Sequence, residues 1–125
     1  MQQGKAQLDQ HQRDVLGKKG ENIAARWLAA RGHTLLARNV RYPVGEIDII
    51  TSDPQGNTVF VEVKTRSTTA FGSVESITRA KMHRLRKAAA LWLKENPCQS
   101  IRFDALIIQM GRHQDLKVDY YQGVE

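Results

Sequence analysis

A chain of 125 residues with 41% apolar and 26% charged residues has the size and composition of one folded domain built on one core, which excludes wholesale disorder. Its single cysteine, Cys98, excludes an intramolecular disulfide framework, and no run approaches the ~20 apolar residues that span a bilayer. The excess of 19 Lys and Arg over 13 Asp and Glu gives a formal charge of +6, which favours an acidic polymer as partner; with no apolar leader segment, the cytoplasm is the expected location.

Residues 1–13 are polar, glutamine-rich and aperiodic, so a mobile tail is expected there, ahead of a single domain over residues 14–125. From Asp14 or Lys18 to Arg31, Ile23, Ala24, Trp27 and Leu28 recur at helical spacing, Gly17 and Gly20 weaken the first turn, and Gly32 supplies a stop. Three extended segments follow, His33–Val40, Gly45–Ser52 and Thr58–Arg66, the last two rich in Ile and Val. Asp53-Pro54-Gln55-Gly56-Asn57 carries turn residues, so the second and third segments should pair as an antiparallel hairpin. A second helix is expected from Ser76 or Thr78 to Glu95, with Met82, Leu85, Ala89, Trp92 and Leu93 on its apolar side. Ser100–Met110 and Leu116–Tyr121 complete the chain as strands joined through Gly111.

Alternate side chains of a strand share a face. Glu46 and Asp48 are therefore expected on one side and Ile47 and Ile49 on the other, while Glu62 and Lys64 oppose Val61 and Val63. The hairpin brings Asp48 toward Glu62. Two carboxylates held together repel and lose hydration, which a divalent cation offsets. Mg²⁺ takes a few carboxylate and carbonyl oxygens plus waters, and Asp48, Glu62 and the Val63 carbonyl supply that set. Lys64 beside it could orient or help deprotonate a water, or stabilise charge on a phosphate. By periodicity alone the default is simpler: the solvated face of a ribbon, with a Glu–Lys pair between strands.

Glu21 lies on the border of the first helix's apolar stripe, as a metal ligand or as an ordinary rim glutamate. Arg79, His83, Arg84, Arg86 and Lys87 form a basic side on the second helix, suited to phosphates. Lys81 falls at the edge of the buried side, where it either reaches the carboxylates or snorkels to solvent. The Arg66–Ser73 loop offers hydroxyl and amide donors, and Tyr42 beside Arg38 and Arg41 either contacts a nucleotide or packs under its own turn. Trp27 and Trp92 read as core. The four histidines show no paired ligand spacing, and no serine or cysteine is framed by a base.

Gly45-Glu46-Ile47-Asp48-Ile49-Ile50, followed by Phe60-Val61-Glu62-Val63-Lys64-Thr65-Arg66, resembles the active-site signature of the PD-(D/E)xK nuclease superfamily. More closely, the run from Gly17-Lys18-Lys19-Gly20-Glu21 through Arg38-Asn39, the two strands and the Arg79–Lys87 helix is similar to the small bacterial YraN-like family, which resembles archaeal Holliday junction resolvases. The resemblance implies an α/β, restriction endonuclease-like core: a mixed five-stranded sheet flanked by helices in the order αβββαββ. It makes Asp48 the motif aspartate, Glu62 the second metal carboxylate, Lys64 the motif lysine and Glu21 the helix carboxylate completing the site; Ile47 stands where the motif often has proline. The function it implies is a Mg²⁺- or Mn²⁺-dependent DNA endonuclease using metal-activated water on branched or repair intermediates, or on duplex DNA, with a homodimer compatible with the pairing of resolvase-like relatives. Arg38, Arg41, Arg66, Arg79, Arg84 and Lys87 are the expected DNA contacts. The alternative is a catalytically silent nucleic-acid-binding or partner-docking module on the same fold.

Overall fold

A computed structural model describes residues 9–67, 77–111 and 115–124. The elements run α1 (Gln10–Ala30), β1 (Thr34–Tyr42), β2 (Gly45–Ser52), β3 (Thr58–Ser67), α2 (Arg79–Glu95), β4 (Ile101–Met110) and β5 (Leu116–Tyr121), which is the order expected from the sequence. No helix among the described residues is long and apolar enough to cross a membrane.

The first helix begins at Gln10 rather than Asp14, because Asp9 caps it. The Asp9 carboxylate accepts from the Gln12 N–H at 2.7 Å while the Gln12 side chain accepts from the Asp9 N–H at 2.9 Å, satisfying two donors that a bare helix end leaves open. Of the expected tail, residues 1–8 lie outside the described residues. At the other end Gly32, at φ +90°, closes the helix: its N–H donates to the Ala29 carbonyl and that of His33 to Leu28, each at 3.0 Å. Thr78 caps α2.

The strands lie in the order β1-β2-β3-β4-β5. Pairing is antiparallel between β1 and β2, β2 and β3, and β4 and β5, and parallel between β3 and β4, with α2 in the crossover that a parallel pair requires. The helices cover opposite faces. Ala24 and Leu28 of α1 pack with Ile49, Val59, Val61, Val63, Leu106 and Ile108, while Met82, Leu85, Ala88 and Ala89 of α2 pack with Ile47, Ile50 and Phe60. Trp27 and Trp92 pack against these two clusters as core residues. Burial on both faces explains why the central strands read as Ile and Val runs rather than strict alternation.

Candidate active site

The β2–β3 ladder ends at the Ile49–Val61 pair. Carried on in that register, Val63 would face Ile47 and its N–H would meet a β2 carbonyl. It donates instead to Asp48 Oδ2 at 2.8 Å, so the strands part and a carboxylate stands in the opening. A residue's N–H and C=O point to the same side of an extended strand, so the Val63 carbonyl faces this opening as well.

The side-chain pattern of β2 changes at the same point. Ile47 and Ile50 belong to the α2 cluster and Ile49 to the α1 cluster, which corrects the expectation that Ile47 and Ile49 share a face. With apolar layers on both sides, either face accepts an isoleucine, and the strand is free to rotate at Asp48. Across from Asp48, between the Arg38–Ile49 and Val40–Ile47 pairs, Asn39 adopts φ +52°, a left-handed conformation that Asn tolerates better than most residues.

Asp48 and Glu62 are each 6% exposed, so they are not the solvated face of a ribbon. Lys81 of α2 bonds Glu62 Oε2 at 2.7 Å, reaching the carboxylates rather than snorkelling away. Asp48 is pushed up to about 7 by burial first, then by the Glu62 carboxylate and the charge of Glu21, against the Val63 N–H and Lys81. Lys64 on β3 holds its proton less tightly than a free lysine, through burial and the neighbouring Lys81 and Arg66 cations, opposed by Glu62.

Glu21 comes to this end of the sheet because Gly20 lets α1 lie directly on β3. A Cβ at Gly20 would fall 1.7 Å from Thr65 Oγ1, too close for any side chain. Burial raises the Glu21 pKa, opposed by a hydrogen bond from Asn39 and by Arg38. The Arg38 guanidinium sits 3.9 Å from Glu21 Oε1 and donates to Asn22 Oδ1 at 2.8 Å. Asp48 and Glu62 are thus brought together and Glu21 acts on Asp48 through its charge, while among the described residues no three His, Cys, Asp or Glu side chains gather as a ligand group. Two hard carboxylates and a backbone oxygen nevertheless match by chemistry the donors that Mg²⁺ or Mn²⁺ takes.

Around the site, Arg79, Arg84 and Lys87 are exposed on α2, and Arg41 makes a 3.5 Å pair with exposed Glu46. Glu46 thus pairs across its own β1–β2 hairpin. Two expected members of the basic surface are elsewhere. Arg66 is 7% exposed, drawn in with β3, and Arg86 donates to the Val124 carbonyl at 3.4 Å and lies over the Phe103 ring, an apolar surface its stem can cover. Tyr42 packs against the α2 cluster. The expected donor loop falls, from residue 68 on, outside the described residues. The support of Glu21 by Asn39, and of Arg38 by Asn22, goes beyond the sequence reading; an asparagine in the middle of a strand is the available signal.

The sequence matches the profile of the Uncharacterised protein family UPF0102 over residues 20–108, which spans the parted strands and Lys81. It is 43% identical over 106 residues to a UPF0102 protein of Corynebacterium diphtheriae, covering 85% of this chain and 87% of the relative. A UPF0102 protein of Corynebacterium efficiens is 44% identical over 115 residues, with 91% and 94% covered, and one of Mycolicibacterium smegmatis is 42% identical over 116 residues, with 90% and 94% covered. With a family profile across most of the fold and relatives matched nearly end to end, the chain belongs to the UPF0102, or YraN-like, family.

Proposed function

We propose that this protein is a Mg²⁺- or Mn²⁺-dependent endonuclease that hydrolyses phosphodiester bonds in DNA, with branched or repair intermediates as its substrates. The observation that carries this reading is the pair of buried carboxylates, Asp48 and Glu62, meeting where β2 and β3 part, with Lys64 and Lys81 beside them. Asp48, Glu62 and the Val63 carbonyl would hold the ion, and Glu21 would join them directly or through a water. When bound, such an ion supplies Lewis-acid stabilisation of phosphoryl charge and lowers the pKa of the attacking water. Lys64 shares the Glu62 side of β3, where a loosely held proton suits it to orient the water, take up its proton or stabilise charge on the phosphate. Exposed Arg41, Arg79, Arg84 and Lys87 would hold the backbone.

The test is cleavage of single-stranded, duplex, flap and four-way DNA with Mg²⁺ and with chelator, alongside calorimetric titration of Mn²⁺ into wild type and Glu62→Ala. Cleavage only with metal, and a Mn²⁺ site lost in Glu62→Ala, are the expected results. A silent nucleic-acid-binding module would bind DNA in a salt-sensitive way with neither a Mn²⁺ site nor cutting.

Lys81 gives a prediction of opposite signs. Its ammonium now neutralises Glu62, so it competes with any cation there. Lys81→Met keeps the stem and removes the charge, and Mn²⁺ affinity without DNA should rise about tenfold, the scale of one charge-assisted hydrogen bond, while cleavage falls. Weaker Mn²⁺ binding in Lys81→Met would show that Lys81 holds the site together instead of occupying it.

A further inference from the structure

Between the β1–β2 turn and the first half of α2 lies an open cleft of about 380 Å³. Tyr42, Pro43 and Val44 form an apolar wall, and Arg41, Lys81 and Arg84 bring three cations to its rim. Glu46 is the acidic member of the lining. The cleft is preformed: a Cβ at Gly45 would fall 2.6 Å from the Arg84 carbonyl oxygen, so the turn rests on the helix backbone with nothing between.

Three features narrow the occupant. The volume falls at the lower end of the range for single small ligands, which suits one nucleotide rather than a base pair. An apolar wall beside cations matches a base with a phosphate attached, and Glu46 can accept from a base amino group. Lys81, which lines the cleft, also bonds Glu62 at 2.7 Å, so whatever fills the cleft is one side chain away from the carboxylates. The Arg41–Glu46 pair is no obstacle, since its side chains are 76% and 60% exposed and pairs in such surroundings are weak.

We infer that this cleft receives one unpaired nucleotide of a DNA strand, next to the scissile phosphate, and that the protein thereby selects DNA with an unpaired segment at the cut. The choice of DNA rests on the endonuclease reading above. The preference follows from stacking: an intact duplex must give up pairing and stacking to deliver a base into the cleft, whereas a fork or flap has already done so.

The test is binding, measured by fluorescence anisotropy in EDTA so that no cleavage intervenes, of full-length protein to a blunt duplex and to a forked duplex of the same length and charge. Wild type should bind the fork about tenfold more tightly, a conservative share of the unstacking penalty. Val44→Trp fills the cleft from an exposed turn and should bring the fork to within about twofold of the blunt duplex, and Arg84→Glu, which fills nothing but reverses the rim charge, should weaken the fork more than the blunt duplex. Thermal melting confirms that each variant is folded. Equal affinity of wild type for both DNAs, or a fork preference retained in Val44→Trp, would overturn the inference. The outcome is separable from the metal-centre reading: a fork preference without metal-dependent cutting leaves the cleft standing and removes the nuclease, and cutting without the preference does the reverse.

Discussion

Asp48→Asn should make the metal-free protein more stable at pH 8 while reducing cleavage by about three orders of magnitude, the loss expected when a group organising transition-state charge is removed. The two effects share a cause. Asp48 is 6% exposed and raised to about 7 by burial, Glu62 and Glu21, against the Val63 N–H and Lys81. A folded-state pKa above the unfolded value near 3.8 means that the folded protein binds the proton more tightly. Below pH 4 both states are protonated and the group is neutral in the balance; from 4 to 7 stability falls as pH rises; above 7 the whole penalty is present. Three pKa units correspond to about 4 kcal/mol.

Asparagine keeps an oxygen for the Val63 N–H and carries no charge. Part of the penalty should therefore be relieved, about 2 kcal/mol at pH 8, or roughly 5–10 °C in melting temperature for a chain of this size. The gain should shrink as pH falls toward 4. Saturating Mg²⁺ should raise the melting temperature of wild type, because binding to the folded state alone stabilises it, and leave Asp48→Asn unmoved. Melting curves at pH 5 and pH 8, with EDTA and with Mg²⁺, decide the matter. An asparagine variant less stable than wild type at pH 8, and still shifted by Mg²⁺, would mean that Asp48 is a structural anchor and not a cation ligand.

Much of this site was legible in the sequence because it depends on short-range geometry. The Pro54 and Gly56 turn set the β2–β3 pairing, strand alternation put Glu62 and Lys64 on one side of β3, and helical spacing put Lys81 at the edge of α2's buried stripe. What failed was alternation across Asp48. That rule assumes one wet face, and β2 has none. The capping of α1 by Asp9 was hidden in a glutamine-rich stretch that looks like a tail by composition, although Gln10 donates to Asp14 at 2.7 Å and accepts from Arg13 at 3.0 Å along an ordinary helix surface. The support of Glu21 by Arg38 and Asn39 was out of reach for another reason: it depends on how closely α1 lies on the sheet, which Gly20 sets and no periodicity reports.

The polar cluster on the α1 face of β4 was also invisible, since its members are scattered through the sequence, and its loss should be the largest single blow to stability. Asp104 is fully buried between Phe103 and the apolar run 105–108 of β4. One of its oxygens accepts from Arg102 Nε and from the Gly123 N–H, each at 2.9 Å, and the other from Arg102 Nη2 at 3.0 Å and from the Tyr120 hydroxyl. Arg102 continues to Asp53 at 2.8 Å, tying β4 to the β2–β3 turn, while Tyr120 ties it to β5 and to Trp27 of α1. Asp104→Ala would leave a guanidinium, a hydroxyl and an amide short of their acceptor. Removing one partner of a buried ion pair costs about 3–5 kcal/mol, a large share of the ~5–15 kcal/mol that holds a domain together. Urea unfolding should show that loss in Asp104→Ala and a smaller one in Asp104→Asn, with Mn²⁺ affinity kept in both because Glu62 faces α2 instead. The acid limb carries the same signature. Asn57 and Arg102 hold Asp53 down at about 2 against burial, which acts to raise it, so its contribution is complete above pH 4 and lost as pH falls toward 2. An Asp104→Ala protein within about 1 kcal/mol of wild type would show that water, not Arg102, satisfies this cluster.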